Sequence, residues 1–525
     1  KPVREREPSL IQEGVREIFK NQGQREFSLM SLSSGDYSCL FELLEELNGE
    51  WSENYVSFYL PSLKINSFNL EVLSKLNEVR KSGLTLAIEA GSEETRKYIN
   101  KEVSDEKLFN MIEKAESLGW KLIKIYLMIG LTDQIEKEKE ELIVFIDKLT
   151  KMSKKMRFNI SINQFIPKPF TPFQKQILYP AEKVKNLMNE IKKYFIKIKR
   201  VKIRYQETSM AYIEGILARG NRVFSHLIEK AFQKGARFDG WHECFDFDLW
   251  MEVINQQLEV PALIFNKELN DQKILPWDLF KGGSSLEFCD SEAELASNYQ
   301  TSQGCAEDCS SFCGACSSEV KNQKAKNKFS SQNKIEKIFG ISKDYYGTVG
   351  LVYEKTGVFL YLSQLELMNW WQKILTCAEV PLIFSEGYNP RPRLELGFTP
   401  AVGMPAFYEN LRFQTGYVED IDEIKERIEK QNKYLKITKI KLYDKRPKSL
   451  QSTIKYQEIR LKKAFFNEEK LLFFINESME QVNETNEWVD FLFPIEYKLK
   501  NLGDHFPINH IIRTRLLDKD KKEVI

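Results

Sequence analysis

The sequence predicts an α/β protein with a partial parallel βα barrel, followed by a helical extension with a four-cysteine stretch and a C-terminal α+β domain. Strand-like runs alternate with amphipathic helices as far as residue 205, four cysteines cluster at 305–316, and a lysine-rich polar stretch at 321–334 precedes the last third. A chain of 525 residues, 42% apolar and 29% charged, is long enough for about three packed domains.

The alternation begins with a helix. PSLIQEGVREIFKNQG places Ile11, Val15 and Ile18 at helical spacing, and Gly23 stands where a helix C-terminal glycine belongs. EFSLMSLS is typical of a strand buried on both faces, and SCLFELLEELNGEW is helical again. Further strands are predicted at VSFYLPSL, LTLAIEA, KLIKIYLMIG, RFNISINQFI and VKIRYQ, each separated from the next by an amphipathic helix. This series predicts a parallel sheet, closed or partly closed into a barrel, over residues 1–205.

Ligand-binding side chains of such barrels follow the carboxyl ends of the strands. Gly35 in SSGDY lets a ligand approach the backbone, and Asp36 beside it can accept a hydrogen bond from an ammonium or hydroxyl group. Glu89 ends a strand, Gly91 follows in the turn, and Ser92 is placed to cap the next helix. Gln164 and Lys168 lie on a lip that three prolines hold extended. Each of these features alone is typical of a turn, but together they favour a ligand site.

Several stretches resemble the radical S-adenosylmethionine (radical SAM) enzymes, specifically the subgroup with an upstream cobalamin-binding-type domain. They are SLSSGDYSCLFELLEEL, SLPSLKINSF, VRKSGLTLAIEAGSEETRKYINK and FIPKPFTPFQ, and the resemblance continues through EGILARGNR and GARFDGWHECFDFDLW to PWDLF. The resemblance implies a [4Fe–4S] cluster held by a C-x3-C-x2-C loop, SAM bound to that cluster, release of a 5′-deoxyadenosyl radical, and an electron donor such as flavodoxin or ferredoxin.

The same resemblance implies roles for individual residues. Ser34, Gly35 and Asp36 would hold the methionyl amino group. Glu89 would lie near the ribose, and Gly130 would lie in the turn that runs past the adenine. Gly91 and Ser92 belong to the same cofactor-binding motif.

The opening KPVREREP resembles the segment that follows the cluster loop. We therefore expect the first barrel strand, the cluster ligands and any cobalamin domain to be absent from this sequence. On that expectation the 525 residues alone would not perform radical chemistry.

The four-cysteine stretch comprises Cys305, Cys309, Cys313 and Cys316, with the spacing C-x3-C-x3-C-x2-C. Four thiolates suit tetrahedral Zn²⁺ or an iron–sulfur cluster. They do not suit the radical cluster, which needs one iron free of protein ligands. An auxiliary iron–sulfur or zinc site, a purely structural zinc site and a vestigial stretch all remain open for residues 301–320.

The helical extension, residues 206–300, contains GARFDGWHECF, whose Arg237 and Asp239 are candidate substrate contacts. The alternative interpretation is a helix-packing turn in which Trp241 belongs to the core.

After a linker at 321–340, residues 341–525 predict an α+β domain. YYGTVGLVYEKTGVFLYL indicates strand-turn-strand, and Ser363 with Glu366 forms a capping box before a helix. The FLYLSQLELMNWW and EGYNPRPRLELG stretches resemble a radical-SAM-linked domain of unknown function, although Gln364 and Arg391 stand where that family tends to have histidine.

Arg391 and Arg393 alternate with prolines beside Tyr388. Such a rigid guanidinium pair suits phosphate, and the tyrosine could stack on a base, so RNA is a candidate partner. A surface loop packed on its own sheet is the alternative.

These features predict a radical SAM-type iron–sulfur protein whose full-length form would cleave SAM to modify an unknown substrate, RNA or protein. The alternative is a catalytically inactive SAM- or RNA-binding scaffold. No apolar run approaches the ~20 residues of a membrane span, and we expect a cytoplasmic protein.

Overall fold

The computed structural model divides the chain into two compact units. The first contains residues 1–10, 28–46 and 58–329, and the second contains residues 11–27, 47–57 and 330–525. The residues that the structure describes are 3–31, 33–60, 84–256, 275–280, 282, 284–302, 304, 313–314, 316, 322–326, 329, 341–387, 390–432, 434, 436–465, 480–496 and 511–525.

The first helix, α1, spans Pro8–Gln22 and confirms the predicted helix. Gly23 ends it with a φ of +60°, and its N–H donates to the Phe19 carbonyl at 2.8 Å. A Cβ at Gly23 would lie 2.1 Å from the main-chain oxygen of Lys373, so both the backbone conformation and the packing require glycine.

Strands β1 (Glu26–Ser28) and β2 (Ser57–Tyr59) pair with each other in a two-stranded sheet, and α2 (Leu40–Trp51) lies between them in the sequence. The prediction that EFSLMSLS forms a strand buried on both faces is wrong. The strand is three residues long, and only Phe27 of the three is buried. Glu26 and Ser28 alternate with that apolar residue, and such alternation gives one covered face.

The first unit contains a four-stranded parallel sheet in the order β3-β4-β5-β6. Its strands are β3 (Leu84–Glu89), β4 (Leu122–Ile129), β5 (Arg157–Gln164) and β6 (Val201–Tyr205). The connecting segments carry α3 (Glu93–Tyr98), α4 (Asp105–Ser117), α5 (Ile135–Met152) and α6 (Ala181–Phe195). Four of the predicted strands thus form one parallel sheet, as the βα alternation indicated.

Among the described residues, four helices follow the sheet. They are α7 (Thr208–Arg219), α8 (Phe224–Gln233), α9 (Phe247–Asn255) and α10 (Leu286–Ser297). Leu227, Trp250 and Val253 belong to a core that α7, α8 and α9 share. Trp241 is 64% exposed, so the interpretation that placed it in a core is wrong. Across the described ranges, no helix has both the length and the apolar character needed to cross a bilayer.

The second unit contains a ten-stranded sheet among the described residues, with the main order β12-β8-β11-β16-β13-β15-β14. Its strands are β7 (Ile341–Ser342), β8 (Gly347–Lys355), β9 (Leu382–Ile383), β10 (Leu394–Leu396), β11 (Ala406–Thr415), β12 (Ile437–Tyr443), β13 (Tyr456–Lys462), β14 (Glu480–Glu484), β15 (Trp488–Pro494) and β16 (Ile511–Leu517). Its helices in the C-terminal part are α11 (Gln364–Cys377), α12 (Ile421–Gln431) and α13 (Leu450–Thr453).

Local signals in this unit were predicted with mixed success. The Ser363–Glu366 capping box is present at the start of α11, and Trp371 on that helix is fully buried. The predicted second strand in GVFLYL is wrong, because Gly357–Tyr361 forms a 3-10 helix. Gly357 has a φ of +56°, which turns the chain out of the extended conformation of β8.

Candidate functional site

Three polar or glycine positions meet at the carboxyl edge of the parallel sheet. Glu89 ends β3, Gly130 follows β4 and Gln164 ends β5. The strand register aligns Glu89 with Leu127 and Gln164 with Ile129, the residue before Gly130. Adjacent strands therefore bring the three positions, all predicted from the sequence, to one edge.

Glu89 has an unusual backbone. Its φ is +72°, and the register shifts between Ala87 and Glu89, as at a β-bulge. A non-glycine residue in this region is strained, and such strain concentrates at ligand sites. The Glu89 carboxylate accepts from Lys101 Nζ at 3.1 Å and remains partly exposed.

Glu138 fixes the turn after β4. Its carboxylate accepts from the N–H groups of Gly130 at 2.7 Å, Leu131 at 3.1 Å and Thr132 at 2.6 Å. Burial raises the pKa of the Glu138 carboxyl group, and these hydrogen bonds oppose the rise. Gly130 has a φ of +90°, and a Cβ there would lie 3.2 Å from Tyr179 Cδ2. The turn thus presents a bare glycine backbone at the edge.

Gln164 carries an unused hydrogen-bond acceptor. The side chain is only 5% exposed, and Nε2 donates to the Tyr179 carbonyl at 2.7 Å. Its Oε1 atom is buried, and nothing in the described part of the chain donates to it. An unsatisfied buried acceptor costs about 1–3 kcal/mol, which a ligand donor would recover.

Gly91 and Ser92 serve the packing and capping of α3. A Cβ at Gly91 would lie 2.6 Å from the main-chain carbon of Glu141 on α5. The Ser92 side chain accepts from the Thr95 N–H at 3.1 Å, which is the capping role that the sequence allowed. These contacts hold the loop after β3 against α5.

The Ser34–Asp36 segment forms a short 3-10 helix. Ser34 Oγ donates to the Leu29 carbonyl at 2.9 Å, and Gly35 is buried. Asp36 is exposed, so its carboxylate faces solvent beside a fixed turn.

The remaining candidate contacts of the first unit make local interactions. Lys168 pairs with Glu214 at 2.5 Å on the surface. Arg237 Nη1 donates to the carbonyls of Phe232 and Ala236 at 2.5 and 2.7 Å, so this nitrogen is used by the neighbouring main chain. Asp239 has one carboxylate oxygen that is buried without a partner among the described residues.

In the second unit the structure describes Arg391 and Arg393, whereas Tyr388 lies outside the described residues. The Arg391 side chain is exposed, and the main-chain N–H of Arg391 donates to Ser385 Oγ at 3.0 Å. Arg393 lines a cavity of about 440 Å³ together with two arginines that the sequence analysis did not select, Arg412 and Arg446. Arg412 lies on β11 and Arg446 follows β12, so no local motif joins the three.

Comparison with known proteins finds two families. Residues 1–146 match the radical SAM superfamily, and residues 349–491 match the family described as "Uncharacterized protein conserved in bacteria (DUF2344)". The chain carries a radical SAM domain and a DUF2344 domain. Glu89, Gly130 and Glu138 lie within the radical SAM match, and Gln164 follows it on the next strand.

One relative and two solved structures are between 14% and 29% identical to this chain. A protein of Methanocaldococcus jannaschii, "Uncharacterized protein MJ0966", is 29% identical over 222 residues, which are 42% of this chain and 46% of that protein. The match therefore spans less than half the length of the relative. Streptococcus suis SuiB bound to S-adenosylmethionine is 15% identical, with a TM-score of 0.30 over 40% of this chain and 47% of that one. HydG, a maturase of the [FeFe]-hydrogenase, is 14% identical, with a TM-score of 0.25 over 38% and 46% of the two chains.

The radical SAM family implies a [4Fe–4S] cluster, whose ligands are thiolates. Cys305 and Cys309 lie outside them, whereas Cys313 is half-buried and Cys316 is exposed. Within the described ranges, no group of three His, Cys, Asp or Glu side chains could hold a metal ion. The described side chains therefore do not fit a cluster.

Glu138, Arg412 and Arg446 are the residues that sequence reasoning missed. Glu138 could have been found, because a glutamate in the first turn of a helix often accepts from the main chain before it. The two arginines gave no comparable signal, since their approach to Arg393 depends on strand pairing.

Proposed function

We propose that the radical SAM domain binds SAM at the carboxyl edge of β3, β4 and β5. The observation that carries the proposal is the buried, unpartnered Oε1 atom of Gln164 at the end of β5. The family match at 1–146 supports SAM as the ligand, and ligands of parallel sheets bind at this edge.

The residues at the edge suit the parts of SAM. Glu89 can accept hydrogen bonds from ribose hydroxyls, and the bare backbone at Gly130 admits a flat ring. Gln164 Oε1 can accept from the amino group of the adenine. Asp36 belongs to the 3-10 helix Ser34–Asp36 and not to this edge, and we assign its exposed carboxylate to the methionyl ammonium group by the sequence resemblance.

SAM supplies a 5′-deoxyadenosyl group in this superfamily when a cluster reduces it. The described residues alone do not fit such a cluster. The cobalamin subgroup, the electron donor and the modified substrate rest on the sequence resemblance, and a second metal centre rests on the cysteine spacing; all four remain predictions.

Equilibrium dialysis of the full chain against labelled SAM tests this function. We expect Glu89→Gln and Gln164→Leu each to weaken SAM binding by about tenfold, since each removes one hydrogen bond worth roughly 1–2 kcal/mol. Glu113→Gln is the matched control, because Glu113 is an exposed glutamate on α4. Absence of SAM binding by the wild-type chain, or equal binding by all variants, would overturn the proposal.

A second assay separates the two functional classes that the sequence left open. Release of 5′-deoxyadenosine from SAM, after iron–sulfur reconstitution and reduction, would identify an enzyme. SAM binding without such release would support a SAM-binding scaffold.

A further inference from the structure

We infer that the cavity lined by Arg393, Arg412 and Arg446 in the DUF2344 domain binds the phosphate group of a nucleotide. This inference is independent of the SAM site, because all of the residues that carry it belong to the second unit. The sequence analysis paired Arg393 with Arg391, whereas the cavity groups Arg393 with Arg412 and Arg446.

The cavity has the size and position of a ligand site. Its volume of about 440 Å³ lies in the usual range for small-molecule pockets. The loop that carries Arg393, strand β11 and the segment after β12 form its walls. Rigid strands therefore hold part of the lining in place.

The Arg412 side chain is held in a fixed position in the cavity lining. Its side chain is 5% exposed, and the guanidinium group donates to the main-chain oxygens of Ile525 at 2.9 Å and Lys448 at 2.7 Å. The bond to Lys448 ties the segment that carries Arg446 to β11. The Arg412 guanidinium group thus donates to main-chain oxygens, so the donors available to a ligand are those of Arg393 and Arg446.

Arg393 and Arg446 retain unused donors. Arg393 uses only Nε among the described contacts, at 3.4 Å from the Phe384 carbonyl. Arg446 is exposed, and no hydrogen bond or ion pair joins its side chain to the rest of the described structure. The lining has one carboxylate, Glu395, whose Oε1 already accepts from the Leu450 N–H at 2.7 Å. With three arginines and one glutamate, the lining carries more positive than negative charge.

Guanidinium groups converging on one cavity favour phosphate, because each can donate two parallel hydrogen bonds to its oxygens. Tyr345 does not itself line the cavity, but its Oη lies 3.0 Å from Oγ1 of the lining residue Thr348. Tyr345 is 42% exposed, so its ring is available to stack on a base. Phosphate donors beside an exposed ring match a nucleotide, whether it is free or part of an RNA strand.

The test measures binding to the full chain at low salt by isothermal titration. The probes are inorganic phosphate, uridine 5′-monophosphate and a single-stranded oligouridylate of about ten nucleotides. We expect the double variant Arg393→Gln, Arg446→Gln to weaken binding of both uridine probes by about tenfold or more. Lys430→Gln is the control, because it removes one positive charge from α12, outside the cavity lining.

The comparison of probes identifies the source of the phosphate. At least tenfold tighter binding of the oligouridylate, with a salt slope that falls by about 1.4 in the double variant, supports RNA. Equal binding of the two uridine probes supports a free nucleotide. No binding of any probe, or full retention by the double variant, would overturn the inference. Arg446→Gln alone decides the outcome if the double variant unfolds, since Arg446 has no described partner to lose.

Discussion

At the scale of single residues, the turn after β4 depends on Glu138. Gly130, Leu131 and Thr132 all donate main-chain hydrogen bonds to this one buried carboxylate. A glutamine would place its NH₂ group either against the N–H groups of Gly130 and Leu131 or against that of Thr132. We expect Glu138→Gln to lower the free energy of unfolding by about 2 kcal/mol, measured by urea denaturation. Glu136→Gln, on the exposed side of the same helix turn, should cost less than about 1 kcal/mol.

The same residue should leave a signature in the pH dependence of stability. Burial raises the pKa of Glu138 above its ordinary value of 4.5, so the folded chain binds its proton at a pH where the unfolded chain has released it. Its contribution to stability therefore declines as pH rises from the ordinary value through the raised pKa. Urea titrations should show this decline in the wild type and not in Glu138→Gln. A parallel pH profile in both proteins would contradict the assignment.

The cysteine stretch makes a prediction that metal analysis can check. Cys309, Cys313 and Cys316 alone have the spacing C-x3-C-x2-C, and Cys305 adds a fourth thiolate. We expect Cys309→Ser to lower the metal bound per chain while circular dichroism stays unchanged, because soft thiolates dominate such sites. Cys244→Ser is the control, since Cys244 is an exposed cysteine far from this stretch in sequence. Iron with sulfide would indicate a cluster and zinc alone a structural site, whereas equal metal in both variants would refute a metal site at this stretch.

At the scale of elements, three strands of the second unit share a buried charge cluster. Glu409 on β11 pairs with Arg513 on β16, Nε to Oε1 at 3.0 Å, and both are buried. Lys355 on β8 is also buried, its Nζ has no hydrogen-bond partner in the described part of the chain, and burial lowers its pKa. Glu409 is therefore the carboxylate that offsets two buried cations.

Removing that carboxylate should destabilise the sheet. We expect Glu409→Gln to lower the free energy of unfolding by about 3–5 kcal/mol, because two buried cations would lose their counter-charge. Glu354→Gln should cost less than about 1 kcal/mol, since its partner Lys436 is largely exposed. Equal costs for the two variants in urea denaturation would contradict this account of the cluster.

Elements also show why some of the fold was predictable. Helix α1 and the capping box of α11 arise from residues within a few positions of each other, and the sequence predicted both. Strand β1 and the segment after β8 were mispredicted, because a short apolar run takes its conformation from its neighbours. Phe27 alone is buried in β1, and Gly357 diverts the next apolar run into a 3-10 helix.

At the scale of the whole molecule, the two candidate sites differ in how many of their residues could be predicted from the sequence. Glu89 and Gln164 were predicted because parallel strands bring their carboxyl ends to one edge, and Gly130 was implied by the resemblance to radical SAM enzymes. The arginine cavity was found only in part, since Arg412 and Arg446 join Arg393 through antiparallel pairing of distant segments. Periodicity in one sequence does not specify which strands become neighbours.

The two proposed ligands should protect different parts of the chain. In a hydrogen–deuterium exchange experiment, SAM should slow exchange in peptides that cover the edge of the parallel sheet, residues 84–92, 127–138 and 160–166. Uridine 5′-monophosphate should instead slow exchange in peptides covering residues 393–395 and 446–450, which line the arginine cavity. Each ligand at about 100 times its Kd would stabilise its binding-competent state by about 2.7 kcal/mol, enough to change local opening.

Variants make this experiment selective. Gln164→Leu, with about tenfold weaker SAM binding, should lower the stabilisation by SAM to about 1.4 kcal/mol and leave the protection by the nucleotide unchanged. Arg446→Gln should reduce the protection by the nucleotide and leave that by SAM unchanged. Protection of the same peptides by both ligands would mean one shared site and would contradict the separation of a SAM edge from a phosphate cavity. Selective loss in each variant would establish that the radical SAM domain and the DUF2344 domain bind different ligands, since each substitution would act on one ligand alone.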